Sequence, residues 1–192
     1  MKNDKEILKF VEEAGMLKRV ARSGWWVLGI KNPESVADHS FRCAVLAYVL
    51  SKMEGVKLLD AVIMALFNDI QEARINDLHK MASRYFDLEK IEDKVFAEQL
   101  KNLPVSIKGE LGLLHKNYRE QKSKQSIIAR DADILECLIQ AKEYQAHGFK
   151  EAGKFMKKAP GFLKTKSAKR IWKLVKSSSL NEWWETLSEF KR

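Results

Sequence analysis

Cysteine and long apolar runs are both scarce in this chain of 192 residues. Its two cysteines, Cys43 and Cys137, are too few for a disulfide scaffold, and both stand among apolar residues, as reduced core thiols of cytosolic proteins do. No stretch approaches the roughly 20 apolar residues of a membrane span. The first residues lead into an amphipathic pattern, which differs from the uninterrupted apolar core of a signal peptide. We therefore expect a cytoplasmic protein with no membrane partner.

Sustained alternation of apolar and polar residues, the pattern of a half-buried strand, is also missing. Apolar residues recur instead at spacings of three and four, which predicts about eight helices. They lie near residues 7–14, 36–53, 60–67, 88–103, 107–118, 126–147, 166–175 and 180–190. Hydrophobic residues make up 45% of the chain, enough for a packed core. The predicted fold class is all-α, a single globular multi-helix bundle over residues 1–192.

Helix starts are marked by polar residues. Ser35 is followed three residues later by Asp38, and Ser179 is followed by Glu182, which in both places resembles a capping box. Asp60 is the expected N-cap of the third helix. These signals predict helices that begin just after Ser35, Asp60 and Ser179.

Acidic residues are nearly missing from residues 150–176, which we call the basic strip. It contains ten basic residues and one acid, Glu151, so its net charge of +9 equals that of the whole chain. A basic strip can bind nucleic acid or another phosphorylated ligand. A solvated helix face is the alternative, and it is favoured because the strip is mostly Lys without interleaved Arg and aromatic residues. We expect residues 150–192 to form basic helices packed on the bundle.

Several polar residues interrupt apolar helical patterns. His39 lies in the first turn of the second helix, Asn68 and Asp69 end the apolar run 61–67, and Asp131 and Asp133 lie within an apolar helix. Each has an ordinary structural explanation, as a core histidine, a helix C-cap or a surface acid. Together these residues come from three predicted helices, and all of them have side chains that can bind a metal ion. Imidazole with carboxylates suits Mn²⁺, Fe²⁺, Co²⁺, Ni²⁺ or Zn²⁺. The pattern leaves open a metal site and a purely structural role.

Three segments resemble the HD-domain metal-dependent phosphohydrolases: VADHS at 36–40, ALFNDIQEAR at 65–74 and ADILE at 132–136. LKRVARSGW at 17–25 and NPESV at 32–36 are similar to the 5'-deoxynucleotidase branch of that superfamily. The resemblance covers about residues 5–145 well and the basic C-terminal helices loosely. It implies an HD-type helical fold, one divalent metal ion (Mn, Co, Ni, Fe, Zn or Mg) and a homodimer.

By this resemblance the metal ligands are His39, Asn68, Asp69 and Asp133. Asp133 is preferred to Asp131 because the family's metal-binding Asp is commonly followed three residues later by Glu, as Asp133 is by Glu136. Asn68 occupies the position of the histidine that gives the family the H of its name, and an amide offers an oxygen but no imidazole nitrogen. The resemblance therefore implies a site that is weakened or silenced by Asn68, either naturally or by a deliberate substitution.

The same resemblance implies hydrolysis of nucleoside 5'-monophosphates, with deoxyribose favoured. Glu72 is the expected general base or acid, and Asp77 orients water or protonates the leaving oxygen. Arg22 is expected to clamp the phosphate and Trp25 to pack against sugar or base, although Trp25 also suits a core position. The alternatives are an HD-fold protein that binds a nucleotide or nucleic acid without turnover, using the basic strip, and a purely structural helical protein.

Overall fold

The computed structural model describes residues 2–180, 182–185 and 187. Within these residues the chain forms ten α-helices, short 3-10 helices and no strand, and an isolated bridge joins Ala21 to Ser35. The α-helices are α1 (Lys2–Ala14), α2 (Val36–Glu54), α3 (Leu58–Phe67), α4 (Glu72–Ile75), α5 (Leu88–Leu100), α6 (Val105–Glu120), α7 (Lys124–Ala146), α8 (Phe155–Lys158), α9 (Lys166–Ser177) and α10 (Glu182–Glu185). The predicted all-α fold is confirmed.

The long helices follow the apolar periodicity of the sequence closely, and the differences lie mainly at their ends. Helix α3 begins at Leu58, so the prediction that Asp60 is its N-cap was wrong. Asp60 lies in the first turn instead, where a carboxylate interacts favourably with the positive end of the helix dipole. Of the last predicted helix, only Glu182–Glu185 is described as helical. Asn181, residue 186 and residues 188–192 lie outside the described residues.

The start of α2 has both halves of the predicted capping box. The Ser35 hydroxyl accepts a hydrogen bond from the Asp38 amide (3.1 Å), and the Asp38 carboxylate accepts one from the Ser35 amide (2.9 Å). Gly55 ends the helix in the left-handed conformation, with φ of 65°. Because the cap fixes where α2 begins, it also fixes the inward direction of His39, which is 1% exposed.

The main core lies where α2, α3 and α7 pack together, with α6 and α9 against them. Fully buried aliphatic side chains from these helices fill it, among them Leu50, Leu135 and Leu138. A second cluster joins the 3-10 helix Gly15–Lys18 to α5 and α6 through residues such as Leu17 and Phe96. Within the described residues, no helix combines the length and apolar character that crossing a bilayer requires.

Helix α9 is attached to α7 by Asp131. This buried carboxylate accepts hydrogen bonds from the amide of Lys164 (2.9 Å) and from the amide and hydroxyl of Thr165 (2.7 and 2.6 Å). Thr165 in turn caps α9 through the Ala168 amide. All ten basic side chains of the basic strip are exposed, so the charged face of this region points to solvent while its apolar face packs on α7 and α2.

Candidate metal centre and active site

Three predicted ligands from separate parts of the chain converge in one place. His39 comes from α2, Asp69 from the turn after α3 and Asp133 from α7. The His39 Nε2 atom is 3.2 Å from Asp133 Oδ1 and 3.5 Å from Asp69 Oδ2. His39 and Asp69 are buried, and the Asp133 side chain is 18% exposed. The fold therefore places one imidazole nitrogen and two carboxylates at a single partly accessible point.

The two nitrogens of His39 face different groups. Nδ1 forms a short hydrogen bond with Glu136, which is fully buried, and this leaves Nε2 directed at the two aspartates. Ligand atoms of His39, Cys43 and Glu136 also lie within 4.8 Å of one another. However, the Cys43 sulfur is 3.4 Å from Nε2 and 3.8 Å from Nδ1. Those similar distances place the sulfur against the ring and away from the direction of the Nε2 lone pair, so we assign Cys43 to packing.

Asn68 lies at the edge of this group. Its side-chain amide donates a hydrogen bond to Asp69 Oδ1 (2.7 Å), and the residue is half-buried. A cavity of about 10 Å³ adjoins it, lined also by Phe67, Leu114, His115 and Tyr118. The free space beside Asn68 is therefore about the size of one water molecule.

Arg22 and Asp77 form the neighbouring part of the site. The Arg22 guanidinium is 3.8 Å from Asp69 Oδ2 and 3.9 Å from Asp77 Oδ2. Asp77 also accepts a hydrogen bond from the Ser23 amide (2.8 Å), which ties it to the same turn. The segment that carries Arg22 is thus fixed against the metal-binding candidates by backbone contacts as well as by charge.

Glu72 is the first residue of α4 and is 7% exposed. Its Oε2 atom has no hydrogen-bond partner among the described residues. Burial raises the pKa of Glu72 well above its usual value, and the charges of Asp69 and Asp77 raise it further. A buried carboxyl group without a partner on one oxygen is expected where a ligand or water completes its hydrogen bonding.

The remaining electrostatics follow from burial and close contacts. Burial alone would lower the pKa of His39, but its hydrogen bonds with Asp133 and with the Cys43 sulfur outweigh burial, so the pKa lies well above its usual value. Burial would raise the pKa of Asp133, yet His39 and Arg130 hold it below its usual range. Burial raises the pKa of Asp69. The site thus tends to hold a proton on His39 that a metal ion must displace.

Trp25 is a buried residue three positions after Arg22, and its amide donates a hydrogen bond to the Arg22 carbonyl (3.2 Å). It is 2% exposed and contacts the rings of Tyr144 and Phe155, with centroid distances of 5.1 and 4.8 Å. Its indole nitrogen donates to Glu34 (3.0 Å). This placement favours the core alternative for Trp25 over direct contact with a substrate.

Sequence reasoning missed two acids near His39, the half-buried Glu34 and the fully buried Glu136. Glu34 is held by Trp25, and burial followed by the charge of Glu136 raises its pKa to about 7. Glu136 was noted only as a marker for Asp133, although it contacts His39 directly. Glu34 lies in the segment NPESV at 32–36, which resembles the 5'-deoxynucleotidase branch, and its place in that segment was the signal that could have identified it.

The donor set fits a divalent metal ion. Two ligands that each lie about 2.0–2.2 Å from one ion stand roughly 2.8–3.6 Å apart, which matches the separations of His39 Nε2 from Asp133 (3.2 Å) and Asp69 (3.5 Å). One nitrogen and two carboxylate oxygens are suitable ligands for Mn²⁺, Fe²⁺ or Zn²⁺. The arrangement can hold a cation beside an arginine, which is the combination that a phosphate group requires.

Comparisons with known proteins found a matching family model, related proteins and similar solved structures. The family model described as "HD domain" matches residues 14–176. The 5'-deoxynucleotidase HDDC2 of Bos taurus is 31% identical over 142 residues, which span 73% of this chain and 69% of that protein. The human protein of the same name is 30% identical over 142 residues, with the same coverage. A solved structure of a conserved hypothetical protein from Pyrococcus furiosus has a TM-score of 0.75 and 30% identity, and the match covers 88% of this chain and 96% of that one.

Proposed function

Because the chain belongs to the HD-domain family, we propose that it is a metal-dependent phosphohydrolase that removes the 5'-phosphate from deoxynucleoside monophosphates. The observation that carries the proposal is the convergence of His39, Asp69 and Asp133 beside Arg22. The similar proteins named 5'-deoxynucleotidase support the choice of substrate class.

His39, Asp69 and Asp133 would hold the metal ion, with Asn68 as the fourth candidate through its amide oxygen. When bound, the ion supplies positive charge for the phosphate oxygens and lowers the pKa of a water molecule. Asn68 adds no second imidazole, so the proposed site has fewer nitrogen donors than the family pattern and is weakened accordingly.

Arg22 is the proposed phosphate-binding residue. Its guanidinium lies 3.8 Å from Asp69 and 3.9 Å from Asp77, and these charges keep it oriented toward the metal-binding candidates. A planar guanidinium can bind two phosphate oxygens at once. Arg22 therefore orients the phosphorus for attack and balances negative charge that accumulates on the phosphate oxygens.

Glu72 and Asp77 are the proposed proton-transfer residues. In the reaction a water oxygen forms a bond to phosphorus, the bond from phosphorus to O5' breaks, and O5' must gain a proton. The raised pKa of Glu72 lets it carry a proton to that oxygen or accept one from the attacking water. Asp77, which is anchored by the Ser23 amide, is positioned to orient the water.

The test is phosphate release from matched panels of deoxynucleoside and ribonucleoside 5'-monophosphates with Mn²⁺, Co²⁺, Zn²⁺ and Mg²⁺. We expect release that depends on the metal, favours deoxynucleotides and is lost in Asp133→Asn. Glu143→Gln, on the same helix but ten residues and nearly three turns after Asp133, is the control. Release that is equal without metal, or unaffected by Asp133→Asn, would contradict the proposal.

A second candidate function is binding of nucleic acid without turnover. The exposure of all ten basic side chains in the basic strip supports it. Binding through phosphate contacts weakens steeply with salt, so titration of a single-stranded oligonucleotide at several salt concentrations distinguishes the two functions.

We also propose a homodimer. Phe41, Val45, Tyr48 and Val49 are exposed along one face of α2, at the spacing of an apolar helical stripe. Light scattering after size-exclusion chromatography should give twice the mass of one chain. For the Val45→Asp variant the measured mass should fall to that of a single chain.

A further inference from the structure

We propose that Glu136 and Arg42 are positioning residues that direct the Nε2 atom of His39 toward the metal ion. This inference rests on the proposed function, because it concerns the same metal site. The two carboxylate oxygens of Glu136 have different partners. Oε2 is hydrogen-bonded to His39 Nδ1. Oε1 accepts a hydrogen bond from Arg42 Nε (2.9 Å) and forms an ion pair with Arg42 Nη2 at 2.8 Å.

Arg42 is itself held at more than one point. It lies on α2 three residues after His39, and its other hydrogen bonds go to Glu143 (2.7 Å) and Gln140 (2.6 Å) on α7. The guanidinium therefore spans α7 from Glu136 to Glu143 and joins it to the start of α2. A rigid, planar donor in this arrangement leaves Glu136 little freedom to rotate.

The energetic reason for the pairing is the burial of Glu136. A buried carboxylate is strongly unfavourable unless it is paired and hydrogen-bonded, and here both oxygens are engaged. With Nδ1 occupied, the imidazole ring has one nitrogen left, and it faces Asp69 and Asp133. The Cys43 sulfur against the ring further limits its rotation.

This orientation has a particular consequence in this chain. Since Asn68 stands at the family's second histidine position, His39 is the one imidazole among the four proposed ligands. Loss of a group that orients a ligating histidine typically weakens metal binding about 10–100-fold. The affinity of this site would therefore depend on Glu136 and Arg42, although neither residue is among the four proposed ligands.

The experiment measures the Mn²⁺ dissociation constant of the full chain by calorimetry, with thermal unfolding in EDTA recorded in parallel. Glu136→Gln and Arg42→Gln should each weaken Mn²⁺ binding about 10–100-fold. Glu143→Gln is the matched control, since it removes another carboxylate partner of Arg42 from the same helix without touching His39. It should change the constant by less than about threefold.

A double variant tests whether the effect passes through His39. In a His39→Gln background, Glu136→Gln should produce no further loss, because the ligand that it positions is already gone. An equal additional loss there, or an unchanged dissociation constant in Glu136→Gln, would overturn the inference. If Glu136→Gln does not fold, Arg42→Lys provides the same comparison, with a weakened affinity expected because a lysine does not reproduce the bidentate contact.

The outcomes also separate this inference from the proposed function. Mn²⁺ binding that follows this pattern without any phosphate release would support the positioning role and contradict the phosphohydrolase. Absence of measurable Mn²⁺ binding by the unmodified chain would overturn the positioning role.

Discussion

Asp131 and Asp133 lie two residues apart on α7 and have different partners. Asp131 accepts hydrogen bonds from Lys164 and Thr165 at the start of α9, whereas Asp133 Oδ1 is 3.2 Å from the His39 imidazole. Two positions along a helix rotate a side chain by more than half a turn. This rotation turns one acid toward the neighbouring helix and the other toward the candidate metal centre.

The first prediction compares these two acids. Asp131→Asn removes the charged acceptor of two backbone amides and a hydroxyl, and should lower the free energy of unfolding by about 1.5–3 kcal/mol. Asp133→Asn should instead abolish Mn²⁺ binding, because it removes a proposed ligand. Urea unfolding and calorimetry measure the two effects. If Asp131→Asn abolished Mn²⁺ binding and Asp133→Asn lowered only the free energy of unfolding, the roles assigned to the two residues would be wrong.

The second prediction concerns Asn68. Asn68→His adds an imidazole beside Asp69, and the adjoining cavity, about the size of one water molecule, takes up part of the added volume. We expect tighter metal binding, a shift of preference from Mn²⁺ and Mg²⁺ toward Zn²⁺, Co²⁺ and Ni²⁺, and faster deoxynucleotide hydrolysis. Metal analysis and phosphate release on both forms under the same conditions provide the measurement. Asn68→Gln, which enlarges the side chain without an imidazole, is the control. Equal metal content and turnover in the unmodified and His forms would remove position 68 from the ligand set.

The third prediction concerns Glu72. Glu72→Gln preserves the shape of the side chain but removes the proton-transferring carboxyl group. Metal content should persist while phosphate release falls about 10²–10⁴-fold, measured in the Asn68→His form if the unmodified chain is too slow. Glu98→Gln on α5 is the control, since Glu98 is exposed and pairs with Arg74. Normal turnover in Glu72→Gln would exclude Glu72 from the mechanism.

The fourth prediction concerns pH. The pKa of His39 lies well above its usual value, so the imidazole must lose its proton before it binds a metal ion, and burial raises the pKa of Asp69 as well. The apparent Mn²⁺ affinity should therefore increase with pH, by up to about tenfold per unit for each proton released. Calorimetry in buffers of different ionisation enthalpy measures the number of protons. An affinity that is constant between about pH 6 and pH 8 would show that these groups are already deprotonated.

The fifth prediction concerns the basic strip. Lys164, Lys166 and Lys169 are exposed and lie after the motif helices. Changing all three to Gln should alter the salt dependence of any polyanion binding more than it alters turnover. A triple Gln variant of Lys94, Lys101 and Lys108, exposed residues outside the strip, is the control. A collapse of the single-turnover rate in a folded strip variant would place these lysines in catalysis.

Helical structure could be predicted from the sequence because its signals are local. The apolar periodicity that indicated α2, α3 and α7 repeats within a few residues, and the Ser35–Asp38 capping box involves residues three apart. The resemblance in turn identified His39, Asp69 and Asp133 among the candidate ligands. The structure places a carboxylate oxygen of each aspartate within 3.5 Å of His39 Nε2.

Other features depended on which helices pack together. Glu136 reaches His39 across 97 positions of the chain, and Arg42 reaches Glu136 across 94. The sequence around Trp25 suited either a substrate contact or a core position, and in the structure its ring packs against the rings of Tyr144 and Phe155. Sequence periodicity determines which face of a helix is apolar, but the approach of two helices depends on the fit of many side chains at once. The sequence therefore determined the helices and the candidate ligands, and only the tertiary structure decided which buried acid orients the histidine and which aspartate holds α9.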